Sequence, residues 1–498
     1  MNVTQETLDL IKTSQKSPDA ALAKAWTQSG SAVSGITAYD LEAPSKKLYP
    51  VITPLRNEIP RVSGKGGIQA NWRAVTGLNT TGMSPGVSEG KRSGVISTTT
   101  ADYTAAYKGL GLEDSVTFEA DYAAENFEDV KALAVEGLLR ALMIGEEKVI
   151  LGGNNSLALG NTPVPTLSSA NTGGALLGNT AYGVGVVALT LEGYFLATVA
   201  GGIVQSTTRT NADGSNDTVN GGAARPSTAA NVTTANTGAN THCVNASVAV
   251  VVGAVAYAWY LGLAAGNLVL HSITTINSAN LTANGAGTQV FSTLTASDLS
   301  RNSLIFDGLM TFHCQTALGA TVVTQATGTP GVGTVLTSDN AGGIVEIDAA
   351  LKAFWDNYRL SPDTLWVSSQ QMQDIGKKIL QGNSTAAQRF VFNAEQGMIG
   401  GGIMVRTYLN KFGMNGATEL KIRLHPNMPS GTMMFTTNKL PYPLSNVTNV
   451  TQIRARREYY QIEWPLRTRK YEYGVYCDEV LQHFFPPSGG VINNIAAG

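Results

Sequence analysis

Residues 82–94, GMSPGVSEGKRSG, contain side chains that could do chemistry. Within them, residues 86–90 (GVSEG) fit G-x-S-x-G, the turn that presents the nucleophilic serine of many hydrolases, and residues 90–93 (GKRS) hint at a phosphate-binding loop. A nucleophilic Ser88 would need a strand before it, a helix after it, and a histidine and an acid nearby. Instead, Pro85 precedes the motif and a Thr-rich, β-prone segment follows it, and the two glycines are too close for a phosphate loop. We therefore interpret the stretch as a flexible loop and predict no catalytic residue.

The dipeptides His242-Cys243 and His313-Cys314 suggest zinc ligands. Adjacent residues of a strand point to opposite faces, so one dipeptide cannot easily supply two ligands. The sequence holds neither C-x-x-C nor H-x-x-x-H. We predict buried thiols beside ordinary histidines, with no metal and no cofactor. The third cysteine, Cys477, makes the number odd, which is typical of a reducing cytoplasm and not of a disulfide framework.

Length and composition set the class of protein. A chain of 498 residues predicts about two to four domains. Charged residues make up 14%, below the roughly 25% of an average soluble domain, so we expect partners to cover much of the surface. The formal net charge of -2 provides no basic field for nucleic acid. The N-terminus lacks the apolar core of a signal peptide, so the N-x-S/T triplets are not expected to be glycosylated.

Residues 246–266 are uncharged and about long enough to span a bilayer. Lys and Arg are absent from both flanks, so no orientation signal exists. Large side chains at 255, 257, 259 and 261 alternate with alanines, which is the period of a strand. We predict a buried strand and no membrane partner.

The N-terminal half predicts an arm, a hairpin and a long helix. The arm has a short amphipathic stretch at residues 6–15, followed by a proline-containing extended segment. Residues 64–108 carry Gly, Ser and Pro at a tip and a Thr-rich returning limb, which predicts a long two-stranded hairpin. Apolar residues at three- and four-residue steps predict a helix over 126–151, capped by Asn126 and ended by the GGN at 152–154.

The following segment, residues 155–340, is poor in charge and rich in Thr, Asn, Gly and Ala. It predicts a β-rich insertion with strands near 186–208, 247–261 and 268–277. Disorder is the competing interpretation for residues 209–241, which lack apolar anchors.

From Gly343 the pattern predicts a helix, a turn at Ser361-Pro-Asp, a strand at Thr364–Val367 and a second helix capped by Ser368 or Ser369. Further strands are predicted in GIMVRTYLN, ELKIRLHP, GTMMFTT and the long run that starts at NVTQIRARREYY.

Two blocks of the sequence carry complementary charge. The acids are Glu113, Asp114, Glu119, Asp121, Glu125, Glu128 and Asp129, and the bases are Arg454, Arg456, Arg457, Arg467, Arg469 and Lys470. Electrostatic matching between subunits and two solvated faces are both open interpretations. Tyrosines and Trp464 among the bases also suggest a nucleic-acid platform, but interleaved glutamates would repel phosphates.

The order of parts resembles the major capsid proteins of tailed bacteriophages, which share the Hong Kong 97 fold. The residues that carry the resemblance are 53–61 (TPLRNEIPR), 127–154, 348–367 with YRLSPDTLWV, and 440–443 (LPYP). The resemblance implies an α+β fold with six regions: an N-arm at 1–60, an extended E-loop at 61–112, a spine helix and P-domain at 113–160, a β-rich insertion domain at 161–304, an A-domain with P-domain helices at 305–440, and C-terminal P-domain strands at 441–498.

The resemblance also implies a function. The chain would be a structural protein, not an enzyme, whose pentamers and hexamers close the icosahedral head. Its partners would be portal and possible decoration or scaffolding proteins, together with packaged double-stranded DNA bound without sequence specificity. Assembly would take place in the bacterial host cytoplasm and the product would be the virion capsid. The short arm leads us to expect no cleaved scaffolding segment.

Charged residues of the arm, loop and sheet are the expected inter-subunit contacts: Arg56, Arg61, Lys65, Lys91, Arg92, Glu119, Glu128, Arg456 and Arg469. Some relatives join subunits by a Lys–Asn isopeptide bond assisted by a buried Glu. Lys65 and Lys91 lie in the corresponding loop, but we match no Asn or Glu partner and do not predict the bond.

Two alternatives remain open. An encapsulin-like compartment would use the same fold around an enzyme cargo, although the insertion makes it less favoured. A β-rich surface-layer or adhesin protein would explain the Thr, Asn and Gly content, but it should carry an export signal.

Overall fold

The computed structural model describes residues 27–28, 35–36, 45–78, 85–125, 127–237, 240–380, 405–413 and 418–498. The predicted amphipathic stretch at residues 6–15 and the predicted cap at Asn126 lie outside the described residues. The chain divides into two units. The first comprises Met1–Tyr49 and Phe118–Val130, and the second comprises Pro50–Thr117 and Lys131–Gly498.

The α-helices of the described residues are α1 (Pro54–Glu58), α2 (Phe118–Ala123), α3 (Val130–Gly152), α4 (Leu191–Leu196), α5 (Leu309–His313), α6 (Val345–Tyr358) and α7 (Ser369–Leu380). The long helix predicted at 126–151 is present as α3, whose 23 residues extend over about 35 Å. The predicted start is wrong, because residues 127–129 are not helical and α3 begins at Val130. It ends where Asn154 turns the chain, because the Asn154 side chain accepts from the backbone N–H of Leu157 at 3.0 Å and donates to the Ser300 carbonyl at 3.0 Å.

The strands of the N-terminal half are β1 (Thr27–Gln28), β2 (Gly35–Ile36), β3 (Arg61–Ser63), β4 (Gln69–Leu78), β5 (Thr98–Ala106), β6 (Lys108–Thr117), β7 (Thr166–Ala170), β8 (Ala181–Leu189), β9 (Ser206–Thr210), β10 (Asn216–Asn220) and β11 (Ala230–Thr233). Those of the C-terminal half are β12 (Cys243–Ser247), β13 (Ala256–Leu263), β14 (Val269–Thr274), β15 (Ser278–Leu281), β16 (Thr321–Thr324), β17 (Thr364–Val367), β18 (Thr407–Asn410), β19 (Thr418–Leu424), β20 (Met433–Thr436), β21 (Thr451–Glu463), β22 (Lys470–His483) and β23 (Gly490–Asn493). Separate helices and largely antiparallel sheets make the chain α+β, as predicted.

In the first unit, β1 and β2 pair in parallel. The Ser45 hydroxyl donates to the carboxylate of Glu128, and α2 carries Glu119 and Asp121 in its first turn.

One sheet of the second unit has the order β3-β21-β22-β6 and packs against α3. Leu138 and Leu142 lie one turn apart on α3, and both are buried against Tyr473, Val475 and Cys477 of β22. The predicted C-terminal strands are confirmed here as the two long strands β21 and β22.

A second sheet has the order β16-β23-β20-β17-β19-β18, and α6 buries Ile347, Leu351 and Phe354 in its core. The strand predicted at Thr364–Val367 has the predicted bounds. The following helix is capped as predicted, since Ser368 Oγ accepts from the backbone N–H of Gln371 at 3.4 Å. Strand β23 follows a Phe-Pro-Pro turn and was not predicted from the sequence.

The described residues of the predicted insertion, 161–304, contain three sheets. Two of them, β11-β8-β13-β14 and β15-β12-β7, share one core cluster, and the third is the two-stranded sheet of β9 and β10. Tyr257, Trp259 and Leu261 of β13 are buried in that cluster, while Ala258 and Tyr260 are buried on the opposite face. The prediction of a buried strand is therefore confirmed, although β13 begins only at Ala256. Within the described residues, no helix is long and apolar enough to cross a membrane.

Two interpretations of the insertion need correction. The predicted strand near 186–208 stops at Leu189, because Thr190 Oγ1 accepts from the backbone N–H of Gly193 at 3.3 Å and starts α4. The segment 209–241, for which disorder was the competing interpretation, contains β10 and β11. Strand β11 pairs with the buried strand β8. This pairing orders β11 although its own sequence has few apolar residues to bury.

Candidate functional site

The hairpin of β4 and β5 has two chemically different faces. Trp72 lies opposite Tyr103, with ring centroids 5.8 Å apart, and its edge contacts Phe484 at 5.7 Å. Arg73 lies opposite Asp102 on the other face and donates to both carboxylate oxygens at 2.6 and 2.8 Å. The hydrogen bond from Arg73 lowers the pKa of Asp102 below its usual range. The predicted hairpin is confirmed, and its base is anchored by aromatic packing.

The loop that joins the two strands is exposed throughout residues 85–97. A turn is closed by a hydrogen bond from the Lys91 N–H to the Ser88 carbonyl at 3.1 Å, and Gly90 has φ 75°, a left-handed value that favours glycine. Neither a strand nor a helix flanks Ser88 among residues 85–97. Residues 82–84, which precede the G-x-S-x-G motif at 86–90, lie outside the described residues.

The five histidines contact other residues. His313 hydrogen-bonds to His483 at 2.9 Å, and His425 to Glu147 at 2.7 Å. His242 bonds to Thr237 at 2.8 Å and His271 to Ser272 at 3.0 Å. A catalytic triad around Ser88 therefore has no geometric support in the described residues. Cys243 is buried, as predicted, and donates to the Thr172 carbonyl. Cys314 is only partly buried, and desolvation raises the pKa of its thiol to about 12.

The entry segment, which we define as residues 54–63 (α1 and β3), is held by two buried glutamates of α3. The carboxylate of Glu147 accepts the backbone N–H groups of Leu55 and Arg56 at 2.9 and 2.8 Å. The first-turn N–H groups of a helix have no acceptor within the helix, and the Thr53 side chain does not cap α1. The Glu147 carboxylate therefore caps α1 from another helix. His425 contacts the same carboxylate from the β19 side.

Glu146 binds the two arginines of the entry segment. It accepts from Arg56 Nε at 2.9 Å, from Arg61 Nη1 at 2.5 Å, and from the hydroxyl of Tyr459. Both guanidinium groups lie over the Tyr459 ring, at 5.2 and 5.1 Å from its centroid. Arg61 Nη2 also reaches Glu479 of β22 at 2.5 Å. We call this cluster of Arg56, Arg61, Glu146, Tyr459 and Glu479 the clasp.

Burial and the neighbouring Glu146 raise the pKa of Glu479 to about 8. Arg61 opposes that increase, and the two glutamates in turn raise the pKa of Arg61. Because a charge buried without a partner is costly, each member of the clasp depends on the others.

The structure separates the predicted inter-subunit residues into three groups. Arg56 and Arg61 are largely buried in the clasp. Arg456 pairs with Asp478 at 2.9 Å and donates to the Gly67 carbonyl, while Glu128 accepts from Ser45. The exposed group consists of Lys65, Lys91, Arg92, Glu119 and Arg469.

One residue of each charged block contacts a tyrosine of the sheet that contains β21 and β22. Strand β6 pairs with β22 so that Glu113 lies beside Gly474, and Tyr476 donates its hydroxyl to Glu113. Arg457 lies 3.8 Å from the centroid of the Tyr460 ring. Electrostatic matching of the two blocks between subunits stays a prediction.

Sequence reasoning missed the residues that hold the entry segment: Glu146, Glu147, Glu479 and His425. A signal was available in the two consecutive glutamates of LMIGEEKVIL, which interrupt the most apolar part of the helix. Charged residues in such a position are rarely buried unless they are paired.

No protein-family model matches the sequence, and no curated protein matches it. Solved capsid structures are similar to it over most of its length. The capsid of Myoviridae phage XM1 has a TM-score of 0.40 and 10% identity, and the match covers 91% of this chain and 95% of that chain. The capsid of a native GTA particle has a TM-score of 0.40 and 8% identity, with coverage of 93% and 96%.

Its structural neighbours include phage capsid proteins. They also include the holo-SrpI encapsulin complex from Synechococcus elongatus PCC 7942, with a TM-score of 0.35, 7% identity, and coverage of 91% and 93%.

Proposed function

We propose that this chain is a major capsid protein that self-assembles into the icosahedral head of a tailed bacteriophage. The observation that carries the proposal is the hairpin β4–β5, which is anchored at its base and exposed along the rest of its length. Among the strands that the structure describes, β4 and β5 pair with each other alone. A two-stranded ribbon of this kind is marginally stable by itself, so a neighbouring subunit is the natural support.

Exposed apolar side chains support the same proposal. Val75 and Leu78 near the end of β4, and Val95 and Ile96 beside β5, are exposed, with Val95 at 91%. Several exposed apolar side chains on one hairpin and its loop are typical of a protein interface. The clasp supports this function as well, because it fixes the entry segment from which the hairpin emerges.

For the subunit interface we propose Lys65, Lys91 and Arg92, which are exposed on or beside the hairpin. Arg56 and Arg61 would act indirectly, by holding the entry segment in place. Each subunit would bury modest area against several neighbours, and closure of the shell would make many weak contacts collectively stable.

The remaining partners follow from the same proposal. Pentamers and hexamers would build the shell, with a portal and possible decoration or scaffolding proteins. Packaged double-stranded DNA would meet a chain of net charge -2, which suits dense packing without sequence-specific binding. Assembly would take place in the cytoplasm of the bacterial host.

The test is to express the chain and image the product by negative-stain electron microscopy. We expect closed shells or capsomers from the wild-type chain. A variant in which residues 85–97 are replaced by a two-residue turn should fold but fail to close shells. A discrete monomer at high concentration would overturn the proposal, and shells filled with a co-purifying enzyme would favour an encapsulin-like compartment instead.

A further inference from the structure

A groove of 720 Å³ lies between the turn of the β9–β10 hairpin and the turn that joins β21 to β22, with β6 along one side. It is the meeting point of the insertion and the sheet that packs on α3. Its lining combines the exposed Trp464 with charged groups of both hairpins. None of residues 85–97 of the same chain lines the groove. Those residues are themselves exposed.

The walls of the groove are held by their own hydrogen bonds. The Asp213 carboxylate accepts from the N–H and hydroxyl of Ser215, at 2.8 and 2.6 Å. Across the β9–β10 hairpin, Arg209 donates to Asp217 at 3.1 Å. On the other wall the backbone N–H of Trp464 donates to the backbone carbonyl of Glu472 at 3.0 Å. A ligand therefore meets a surface that is already arranged, which lowers the entropic cost of binding.

The groove has an excess of negative charge. Four carboxylates line it, those of Glu113, Asp213, Asp217 and Glu472, against the two guanidinium groups of Arg209 and Arg467. Arg209 is paired with Asp217, and Arg467 interacts with Asp213. Glu113 and Glu472 remain as the carboxylates of the lining that no arginine of the lining neutralises, which favours a cationic segment beside an exposed indole.

The loop of residues 85–97 has the matching chemistry. Lys91 and Arg92 are adjacent and exposed, and Glu89 is the opposing charge in this segment. Glycine and serine surround the two cations, so the backbone can approach a surface closely. At about 3.3 Å per residue, the ten residues of β4 carry this loop about 33 Å from the hairpin base, which suits contact with another copy.

We propose that the 85–97 loop of a second copy of this chain binds in the groove, with Lys91 and Arg92 facing Glu113 and Glu472. The inference rests on the proposed function, because it names the surface that receives the hairpin. It gives the insertion a role: its β9–β10 hairpin forms one wall of the receptor for a neighbour's loop.

The test uses cross-linking between copies. Lys91→Cys and Ala212→Cys are made in separate chains and co-expressed, Ala212 being exposed at the turn of the groove wall. After assembly, a short bismaleimide should join the two chains into a covalent dimer. Wild-type chains treated alike are the control, since Cys243 and Cys477 are buried and Cys314 is partly buried.

Charge exchange provides a second measurement. Lys91→Glu with Arg92→Glu should slow assembly by about tenfold or more at low salt, the scale of losing electrostatic steering. Adding Glu113→Lys and Glu472→Lys in the same chain should restore the rate. If assembly slows and the added substitutions do not restore its rate, the pairing of Lys91 and Arg92 with Glu113 and Glu472 is wrong.

The outcomes separate this inference from the proposed function. Shells that form without the cross-link would overturn the groove as the receptor while leaving the capsid proposal standing. A chain that forms no shells and no cross-link would overturn both.

Discussion

Arg61 Nη2 lies 2.5 Å from Oε2 of Glu479, and the same guanidinium reaches Glu146 through Nη1. One side chain therefore connects the entry segment to both the long helix α3 and the central strand β22. Both carboxyl groups are completely buried. Arg61 pairs its charge with Glu146, while Glu479, whose pKa is raised to about 8, accepts the hydrogen bond as a neutral group below that pH. Residues far apart in sequence thus fix the position from which the hairpin leaves the sheet.

The clasp should make stability fall with rising pH. Glu479 has a pKa of about 8 in the folded chain and an ordinary value of 4.5, so the folded state holds its proton more tightly. This contribution is fully present below pH 4.5 and is lost as the pH rises through about 8. Glu479→Gln keeps the shape without the titration, so the decrease in melting temperature across this window should become shallower.

Glu463→Gln is the matched control, because Glu463 is exposed on the neighbouring strand β21. It should reproduce the pH profile of the wild-type chain. If the melting temperature of Glu479→Gln depended on pH as in the wild-type chain, titration of Glu479 would not be the cause of that dependence.

Glu147 should stabilise the chain by capping α1. Glu147→Ala leaves His425 and the N–H groups of Leu55 and Arg56 without their acceptor in a buried position. We expect a loss of about 3–5 kcal/mol in the free energy of unfolding, measured by urea denaturation. Hydrogen exchange at the Leu55 and Arg56 amides should accelerate in the same variant.

Glu136→Ala on the same helix is the control for Glu147. Its carboxylate pairs with Arg140 one turn away, and both side chains are substantially exposed. The expected cost is at most about 0.5 kcal/mol. Equal losses from the two substitutions would contradict the capping role.

Local patterns in the sequence predicted most of the elements. The apolar period of α3, the serine that caps α7, and the alternation of large residues and alanines in β13 all act within one element. These features can be predicted because they depend on residues that are close to one another in the sequence. In contrast, the turn to α4 was missed, because a single threonine hydroxyl redirects an otherwise β-prone segment.

The clasp and the groove could not be predicted in the same way. Arg61, Glu146 and Glu479 are separated by 85 residues or more in sequence, and only the packing of α3 on β22 brings them together. The sequence predicts Arg56 and Arg61 as contacts between subunits. That role stays a prediction, while the structure gives both arginines partners inside the chain.

The histidine pair should make the chain sensitive to acid. His313 and His483 are both buried and hydrogen-bonded to each other at 2.9 Å. Burial lowers the pKa of His483 to about 3, so the folded state favours the neutral ring. Its contribution to stability is fully present above the ordinary value of 6.5 and is lost as the pH falls toward 3.

His483→Gln can keep a hydrogen bond to His313 and removes one titrating group. We expect its near-ultraviolet circular dichroism to persist to lower pH than that of the wild-type chain. His313→Gln should act in the same direction, because burial and the neighbouring His483 lower the pKa of His313 as well. Acid midpoints that do not move in either variant would refute the prediction.

Trp72 should connect the hairpin to the body of the subunit. It stacks on Tyr103 and contacts Phe484 by its edge, so Trp72→Ala removes the aromatic anchor while the strand pairing stays intact. We expect faster proteolysis within residues 85–97 and a loss of closed shells in electron micrographs. Arg73→Ala, on the opposite face, removes an exposed ion pair that adds little stability, so this variant should assemble normally. Normal shells from Trp72→Ala would show that the hairpin needs no fixed base, and its neighbours alone would then have to position it.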